Sequence, residues 1–326
     1  MYNMRMKPLL RLLAFFLALL LLPTLGCTTL HNCLHADEPD AVEAEKQALR
    51  ETLRAERSDT LPAGEPSLKV IVIDVGQGDS ILLISPEGRT MLVDAGPKGS
   101  FSRIKNVLDA NGVRSLDIVV ATHPHEDHIG SMAKVLDAYP VGQFLTIPQA
   151  ETNDSYPLMC SALERNGCPV AYAQGGTTIP WAHSCTVTVL NPLPSYAEPR
   201  DFNDLSVVLH VRFGDTAVLL TGDAGEQAEK RMLDTFPRSM LKANVLKLGH
   251  HGSSSATGFS FFLAVDADFA VASCGTNNDF GHPHLETLSL LHDTRTAFYS
   301  TDLDGTVTFC LDGETVSVDL SRKENP

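Results

Sequence analysis

Apolar and polar positions alternate in short blocks from Leu68 to about residue 320, and these blocks predict a mixed α/β domain. Runs rich in Val, Ile and Leu end at Gly, Pro, Asn or Asp, as β-strands commonly do. Segments with the apolar spacing of helices stand between them, for example SRIKNVLDANG and AGEQAEKRMLDTFP. The strands come first in a hairpin-rich block and then alternate with helices. This order predicts two sheets flanked by helices, a four-layer αββα sandwich over residues 67–320.

The first 27 residues have the pattern of an export signal. Three basic residues precede an apolar run from Leu12 to Gly26. This run is shorter than the roughly 20 residues of a membrane span, but it suits the apolar core of a secretory signal. It ends in LPTLGC, which resembles a bacterial lipoprotein cleavage site, although Thr24 stands where that site usually has Leu. We therefore expect residues 1–27 to be a lipoprotein signal, with Cys27 lipidated.

An exported chain anchored to the membrane surface follows from this pattern, while simple secretion and a retained N-terminal anchor stay open. Residues 28–66 are charge-rich and nearly free of large apolar side chains. Ala, Glu, Leu and Arg dominate their middle and favour a helix, but no wide apolar face is present for docking. We expect this segment to be a solvated tether that holds the domain off the membrane.

Length and charge narrow the function classes. The chain has 326 residues, which suffices for a large buried core, and a formal net charge of −15. Outside the N-terminus, Lys and Arg are scattered. An acidic protein repels polyanions, so broad, non-specific nucleic-acid binding is disfavoured. The negative net charge slightly favours a small or zwitterionic substrate.

Dense polar clusters stand where several apolar runs end. ATHPHEDHIG holds three histidines and two acids in six consecutive positions, and LLTGDAG, VLKLGHHGS and GHPH follow later strands. Strand ends at one edge of a sandwich are rigid elements that can project convergent ligands. HPHEDH alone could be an acidic surface loop, but together the clusters indicate a metal site.

The spacing within HPHEDH predicts ligands for two divalent ions. His123 and His125 are two residues apart, so both imidazoles can face one ion, whereas Asp127 and His128 can reach a second. Imidazole and carboxylate ligands suit zinc, and also manganese or iron. Two ions about 3.5–4 Å apart need a bridging carboxylate. Asp223 in LLTGDAG is placed to supply it, and we expect two ions, Zn²⁺ first and Mn²⁺ as the alternative.

Taken together, these motifs resemble the metallo-β-lactamase superfamily. HPHEDH is similar to its HxHxDH signature, Asp223 matches its bridging Asp, and Asp94 in LVDAG matches an Asp that usually orients the metal loop. More narrowly, IDVGQGDSILL, NDLSVVL, LLTGD, VLKLGHHGSSSAT, GHPH and STDLDGTVTF resemble the hydrolase domain of the ComEC or Rec2 competence proteins. The pneumococcal phosphorylcholine esterase is a related exported member. The resemblance covers about residues 67–315 and implies the αββα metallo-β-lactamase sandwich.

Two departures from the family pattern matter. The superfamily commonly has a His ligand in its third motif, where this sequence reads RDFNDLSVV and places Asn203, a poor ligand that this family generally shows. One position at the first ion is then left to water, substrate or another His. ComEC proteins also carry many transmembrane helices that form a DNA channel. This sequence shows no such helices, so we expect a free-standing hydrolase domain.

The far side of the predicted centre leaves alternatives open. His250 and His251 are neighbours at a strand end, so their side chains diverge and at most one faces the ions. We assign His250 to the metal and His251 to catalysis, although either can be the ligand. His282 in GHPH corresponds best to the last ligand of the superfamily. Asp79 in GQGDS is expected to hydrogen-bond the metal loop.

The expected chemistry is metal-assisted hydrolysis, with Asp127 orienting or deprotonating the water. The resemblance implies a phosphodiester substrate, either DNA in competence-related uptake or a cell-envelope phosphodiester such as a choline ester. A β-lactamase or lactonase is disfavoured because the third-motif His is missing. The alternative from another class is a non-catalytic surface binding module that retains the fold. The complete ligand set argues against it.

Overall fold

The computed structural model describes residues 38–57, 65–148, 151, 153–193 and 201–322. Residues up to Ala44 belong to a separate unit, and residues from Glu45 onward form one compact unit. Cys27 and the predicted signal lie outside the described residues, so lipidation and export stay predictions. Among the described residues, no helix has the length and apolar character of a membrane span.

One sheet has eight strands in the order β15-β14-β1-β2-β3-β4-β5-β6. Its strands β3 to β6 are parallel, and the remaining neighbours are antiparallel. The strands are β1 (Leu68–Val72), β2 (Ile81–Ile84), β3 (Thr90–Val93), β4 (Leu116–Val120), β5 (Val141–Thr146), β6 (Val170–Tyr172), β14 (Val307–Leu311) and β15 (Val316–Leu320).

The other sheet has seven strands in the order β13-β12-β11-β10-β9-β8-β7. Strands β10 to β13 are parallel, and β7 to β10 are antiparallel. The strands are β7 (Thr178–Ile179), β8 (Cys185–Asn191), β9 (Val208–Phe213), β10 (Thr216–Leu220), β11 (Val245–Lys247), β12 (Phe269–Ala272) and β13 (Ala297–Ser300).

Helices connect the strands and cover the outer faces of the sheets. The helices are α1 (Glu38–Ala55), α2 (Phe101–Ala110), α3 (Glu126–Ile129), α4 (Met132–Ala138), α5 (Ser155–Arg165), α6 (Glu226–Thr235), α7 (Arg238–Leu241), α8 (Phe259–Val265), α9 (Leu285–Thr294) and α10 (Thr301–Asp304). Two 3₁₀ turns, Asn203–Leu205 and Gly249–Gly252, follow β8 and β11 along the chain.

Alternation along each strand produces three apolar layers. Val70, Val72, Val187 and Val211 belong to a core between the two sheets. The intervening residues of the eight-stranded sheet pack against α2, α4 and α5, and those of the seven-stranded sheet pack against α6, α8 and α9. Since successive strand residues face opposite sides, the central strands contribute to two layers. The predicted αββα sandwich is confirmed.

The tether prediction differs from the structure over residues 45–57. Leu53 is only 2% exposed and belongs to the apolar cluster outside the seven-stranded sheet. Arg50 Nη2 donates to Asp302 at 2.7 Å, and Arg57 donates to both carboxylate oxygens of Asp304 at 2.8 and 2.7 Å. From Glu45 onward this segment packs through two leucines and through charged side chains, and an apolar-face criterion does not detect the charged contacts.

Candidate metal centre

The carboxyl ends of β4, β10, β11 and β12 supply the predicted site residues. HPHEDH directly follows β4, Asp223 follows β10, His250 and His251 follow β11, and His282 lies in the loop after β12. Since β10, β11 and β12 are parallel neighbours, their carboxyl ends meet at one sheet edge. Asp127 and His128 from the facing sheet approach the same edge, as the contacts below show.

Four of the predicted residues form a compact group. Asp127, His128, Asp223 and His251 each offer an atom, and these atoms all lie within 4.8 Å of one another. His251 Nε2 is 3.0 Å from Asp127 Oδ2 and 3.5 Å from Asp223 Oδ2. His128 Nε2 is 3.2 Å from Asp223 Oδ1. Two imidazoles and two carboxylates are a donor set that suits a divalent transition metal ion.

Unpaired atoms at the centre of this group fit a cation. Among the described residues, His128 Nε2 and Asp223 Oδ1 are buried, and although they lie 3.2 Å apart, neither makes a hydrogen bond of good geometry. Buried polar atoms are rarely left without one. Burial acts to raise the pKa of Asp223, but His128 and His251 outweigh it and hold that pKa well below its usual range. The carboxylate is therefore ionised and stabilises positive charge, which supports divalent metal binding.

Burial also opposes protonation of His128. The carboxylates of Asp223, Asp127 and Asp94 outweigh it and raise the pKa of His128 well above its ordinary value. The same negative environment that would hold a proton on the imidazole favours a metal ion in its place. Metal binding then requires release of that proton, since a ligating histidine is neutral.

His123 and His125 lie next to the four-residue group, and the ring centroids of His123 and His128 are 4.1 Å apart. His123 is fully buried, and its Nε2 is 3.9 Å from Asp223 Oδ2 and 3.0 Å from His125 Nδ1. Burial lowers the pKa of His123 well below its ordinary value, which keeps the imidazole neutral and able to ligate. Asp223 thus lies near the residues expected for both ions.

Asp94 occupies the position expected of a residue that orients the metal loop. It is fully buried and accepts hydrogen bonds from the Thr122 backbone N–H at 2.8 Å and the Thr122 hydroxyl at 2.7 Å. Its Oδ2 is also 2.8 Å from His128 Nδ1. A carboxylate on one ring nitrogen fixes the imidazole so that the other nitrogen faces the metal.

The turn containing Asp79 contacts the HPHEDH loop directly. The Asp79 backbone N–H donates to Asp127 O at 3.2 Å. A Cβ at Gly78 would lie 2.2 Å from that same oxygen, and Gly78 has a φ of +136°, so only glycine fits there. The predicted contact between this turn and the metal loop is present.

Lys247 lies next to the candidate site but was not predicted from the sequence. Its side chain is fully buried, and Nζ lies 2.9 Å from Asp79 Oδ2. Burial acts to raise the pKa of Asp79, but Lys247 and His251 outweigh it and lower the pKa to about 2. A lysine inside the apolar run VLKLG was the available signal, because a buried lysine requires a charged partner.

The structure reverses the expected division between His250 and His251. His251 is 1% exposed and its Nδ1 lies 2.9 Å from Ser273 O, which turns Nε2 toward Asp127 and Asp223. His250 is 30% exposed at its side chain, and its Nδ1 is 3.2 Å from Ser255 Oγ. The geometry therefore makes His251 the ligand candidate and leaves His250 at the open side.

Both histidines have left-handed backbone conformations, with φ of +47° at His250 and +58° at His251. This region is unfavourable for residues with a Cβ, and such strain concentrates at functional sites. The two successive left-handed residues turn the chain sharply after β11. As a result, neighbouring side chains point to different parts of the same centre.

His282 and Asn203 lie outside the four-residue group. The ring of His282 has its centroid 6.0 Å from that of His251, and its Nδ1 is 3.3 Å from Gln77 Nε2. Asn203 stands on a 3₁₀ turn, and its buried Oδ1 has no hydrogen-bond partner among the described residues. His282 is not part of the group formed by Asp127, His128, Asp223 and His251, so its predicted role as a ligand stays a prediction.

Comparison with known proteins agrees with the fold and the motifs. Residues 73–153 match the family model of the metallo-beta-lactamase superfamily. ComE operon protein 3 of Bacillus subtilis is 32% identical over 74% of this chain and 33% of its own length. Recombination protein 2 of Haemophilus influenzae is 29% identical over 74% of this chain and 29% of its own length. The chain thus spans about a third of the length of these relatives.

Among solved structures, the metallo hydrolase Igni18 of Ignicoccus hospitalis matches with a TM-score of 0.49 and 18% identity, covering 74% of this chain and 98% of that one. Competence protein ComA of Neisseria gonorrhoeae is a further relative, 30% identical over 78% of this chain and 34% of its own length. The family match and these relatives identify the chain as a ComEC/Rec2-like member of the metallo-β-lactamase superfamily.

Proposed function

We propose that this protein is a metal-dependent hydrolase that cleaves phosphodiesters. The observation that carries the proposal is the buried group of Asp127, His128, Asp223 and His251, whose inward atoms are close together and partly unpaired. The relatives named as competence and recombination proteins support DNA as the substrate. A cell-envelope phosphodiester such as a choline ester is the second candidate.

This group would hold divalent cations, which would supply Lewis-acid chemistry for activating water and for stabilising charge on phosphoryl oxygens. Asp127 is the most accessible of the four, with 34% of its side chain exposed. Burial acts to raise the pKa of Asp127, but His128 and His251 lower it well below the usual range. Asp127 is therefore an ionised acceptor at the opening, suited to orient a water molecule.

His250 lies at the open side of the centre, and the buried ring of His282 lies next to it. Their ring centroids are 5.4 Å apart. Burial lowers the pKa of His250, and it lowers the pKa of His282 to about 3, so both rings are neutral near pH 7. A neutral imidazole offers one N–H donor, and we propose that these two rings bind the non-bridging oxygens of the substrate phosphate.

We further propose that the protein is exported and anchored to the membrane through a lipid on Cys27, and that it holds two ions, Zn²⁺ or Mn²⁺. The signal pattern of residues 1–27 supports the first proposal. The proximity of Asp223 to His123 and to His128 supports the second. Replacing Cys27 with Ser is expected to release the protein from the membrane fraction.

The test combines metal analysis with a substrate panel. Purified full chain is expected to carry one to two equivalents of transition metal and to cleave linear DNA or bis-p-nitrophenyl phosphate with added Mn²⁺ or Zn²⁺. Cleavage of p-nitrophenyl phosphorylcholine instead would favour the choline ester. Asp223→Ala should abolish activity, whereas Asp215→Ala, the same change at an exposed position, should not. Binding of DNA without any turnover would support the non-catalytic alternative.

A further inference from the structure

Phe280 is a large apolar side chain that stands open to solvent close to the metal centre. It is 64% exposed. One face of its ring is stacked on His282, with the centroids 5.6 Å apart and an angle of 20° between the planes. The ring of His282 in turn lies 6.0 Å from that of His251. Phe280 is therefore connected through the ring of His282 to the four-residue group.

The loop that carries Phe280 is held in place from two sides. Asn278 Nδ2 donates to His282 O at 2.7 Å, and Asn278 Oδ1 accepts from the His282 N–H at 2.9 Å. Gln77 Oε1 accepts from the Gly275 N–H at 3.1 Å, which ties the loop to the turn after β1. Because the loop is hydrogen-bonded in this way, the exposure of Phe280 is a fixed feature of the surface.

The N-terminal helix adds a third support. Lys46 Nζ donates to Gly281 O at 2.9 Å, one residue beyond Phe280. An exposed phenyl ring gains free energy when another apolar or aromatic surface covers it. A rigid loop keeps the entropic cost of such binding low, since the ring is already in position.

We infer that Phe280 is a stacking platform for an unpaired base next to the scissile phosphodiester, and that it makes the centre selective for single-stranded nucleic acid. This inference rests on the proposed phosphodiesterase activity. Aromatic side chains bind single strands by base stacking irrespective of sequence. In a duplex the bases are stacked on each other, so a paired substrate cannot place a base on Phe280 without unpairing.

The surroundings of Phe280 favour a base over a choline group. Quaternary ammonium ligands are typically bound by several aromatic rings that enclose the cation. Among the described residues, His282 is the one aromatic ring in contact with Phe280, and it covers a single face. One flat open face matches a planar base better than a spherical cation.

The test measures how strongly cleavage by the full chain depends on the presence of a base in the substrate. A single-stranded oligonucleotide is compared with the same backbone carrying abasic sites, and the ratio of their kcat/KM values is the readout. Phe280→Ala is expected to lower this ratio by about 5- to 150-fold, mainly through KM, because stacking on one aromatic ring contributes that much to binding. Phe280→Trp should keep the ratio. Tyr172→Ala is the matched control, since Tyr172 is equally exposed on the edge strand β6.

Each other outcome overturns the inference in a distinguishable way. If wild type cleaves both oligonucleotides equally well, the protein is a phosphodiesterase without a base platform. If Phe280→Ala slows both substrates by the same factor, the ring has only a structural role. Loss of p-nitrophenyl phosphorylcholine cleavage with an unchanged oligonucleotide ratio would assign the ring to choline. Failure of wild type to cleave any of these substrates with Mn²⁺ or Zn²⁺ removes the proposed function itself.

Discussion

Lys247 and Asp79 form a buried ion pair beneath the metal centre, with Nζ 2.9 Å from Oδ2 and neither side chain more than 2% exposed. Lys247 Nζ also donates to Leu248 O at 2.9 Å. The second oxygen of Asp79 is 3.5 Å from Nδ1 of His251. The pair therefore connects strand β11 to the turn after β1, and it contacts the ring that we assign to the metal.

Lys247→Met is expected to lower the free energy of unfolding by about 3–5 kcal/mol, because it leaves the buried carboxylate of Asp79 without a partner. Urea unfolding followed by the fluorescence of the single tryptophan, the buried Trp181, measures this. In the double variant with Asp79→Asn, the loss should be clearly smaller than the sum of the two single losses. Additive losses would show that the Lys247 and Asp79 side chains are not energetically coupled.

Arg57→Met is expected to destabilise the docking of α1. Arg57 donates to both oxygens of the fully buried Asp304, and its guanidinium lies 4.2 Å from the ring centre of Tyr299. Removal leaves a buried carboxylate with fewer donors and should cost about 3 kcal/mol. Hydrogen exchange should increase across residues 45–57.

The control for Arg57 is Arg165→Met. Arg165 pairs with Asp137 at 2.9 Å, but the two side chains are 56% and 47% exposed. Exposed pairs contribute about 0–1 kcal/mol because water and salt screen them. Equal losses in both variants would contradict a specific role of the Arg57 contact in holding the helix.

Glu229 is expected to make stability depend on pH. It is 2% exposed and accepts hydrogen bonds from the Thr257 and Gly258 N–H groups at 2.5 and 2.8 Å. Burial, aided by Glu226 and Asp204, raises its pKa from 4.5 to about 7 despite these hydrogen bonds. Between these values the folded chain retains a proton that the unfolded chain has lost, so the free energy of unfolding falls as pH rises.

The free energy of unfolding can fall by at most about 1.4 kcal/mol per pH unit, which amounts to about 3 kcal/mol between the two pKa values. This dependence ends above about pH 7. Glu229→Gln carries no charge at any pH, so the wild-type minus variant difference in unfolding free energy should decrease from about pH 4.5 to about pH 7. Urea unfolding at several pH values gives this difference. A flat difference would mean that the carboxyl has the same pKa in the folded and the unfolded chain.

The sequence predicted the fold and the near half of the site because both depend on local patterns. Alternation of apolar residues defines which strands are buried on both faces, and short polar clusters at strand ends mark one edge. His128 of HPHEDH and Asp223 meet there as expected, although they follow strands of the two facing sheets, and His128 Nε2 lies 3.2 Å from Asp223 Oδ1. Asp94 was assigned to orienting the metal loop by its resemblance to a motif, and its contacts with Thr122 and His128 agree with that role.

The roles of His250, His251 and Lys247 could not be derived from the sequence, because they depend on backbone conformation and on contacts between residues far apart in the chain. Nothing in HHGS shows that both histidines adopt positive φ, which decides which ring turns inward. The partner of Lys247 lies 168 positions away in the chain, in the GQGDS turn. The docking of α1 depends on Arg57 and on an acid near the end of the chain, and a local apolar pattern carries no information about such a pair.

Metal titration distinguishes the roles of the two adjacent histidines. His251 Nε2 is 3.0 Å from Asp127 and 3.5 Å from Asp223. Loss of a residue that only hydrogen-bonds a metal ligand weakens metal binding by about 10- to 100-fold. We expect His251→Ala to weaken Mn²⁺ or Zn²⁺ binding at least as much. His250→Ala should keep metal affinity near wild type and lower phosphodiester turnover, because His250 lies at the open side. His292→Ala, a change at an exposed position, is the control for both. Calorimetric titration of the three variants measures affinity and stoichiometry directly. A loss of metal in His250→Ala with full binding in His251→Ala would restore the assignment that the sequence suggested and refute the one that the geometry supports.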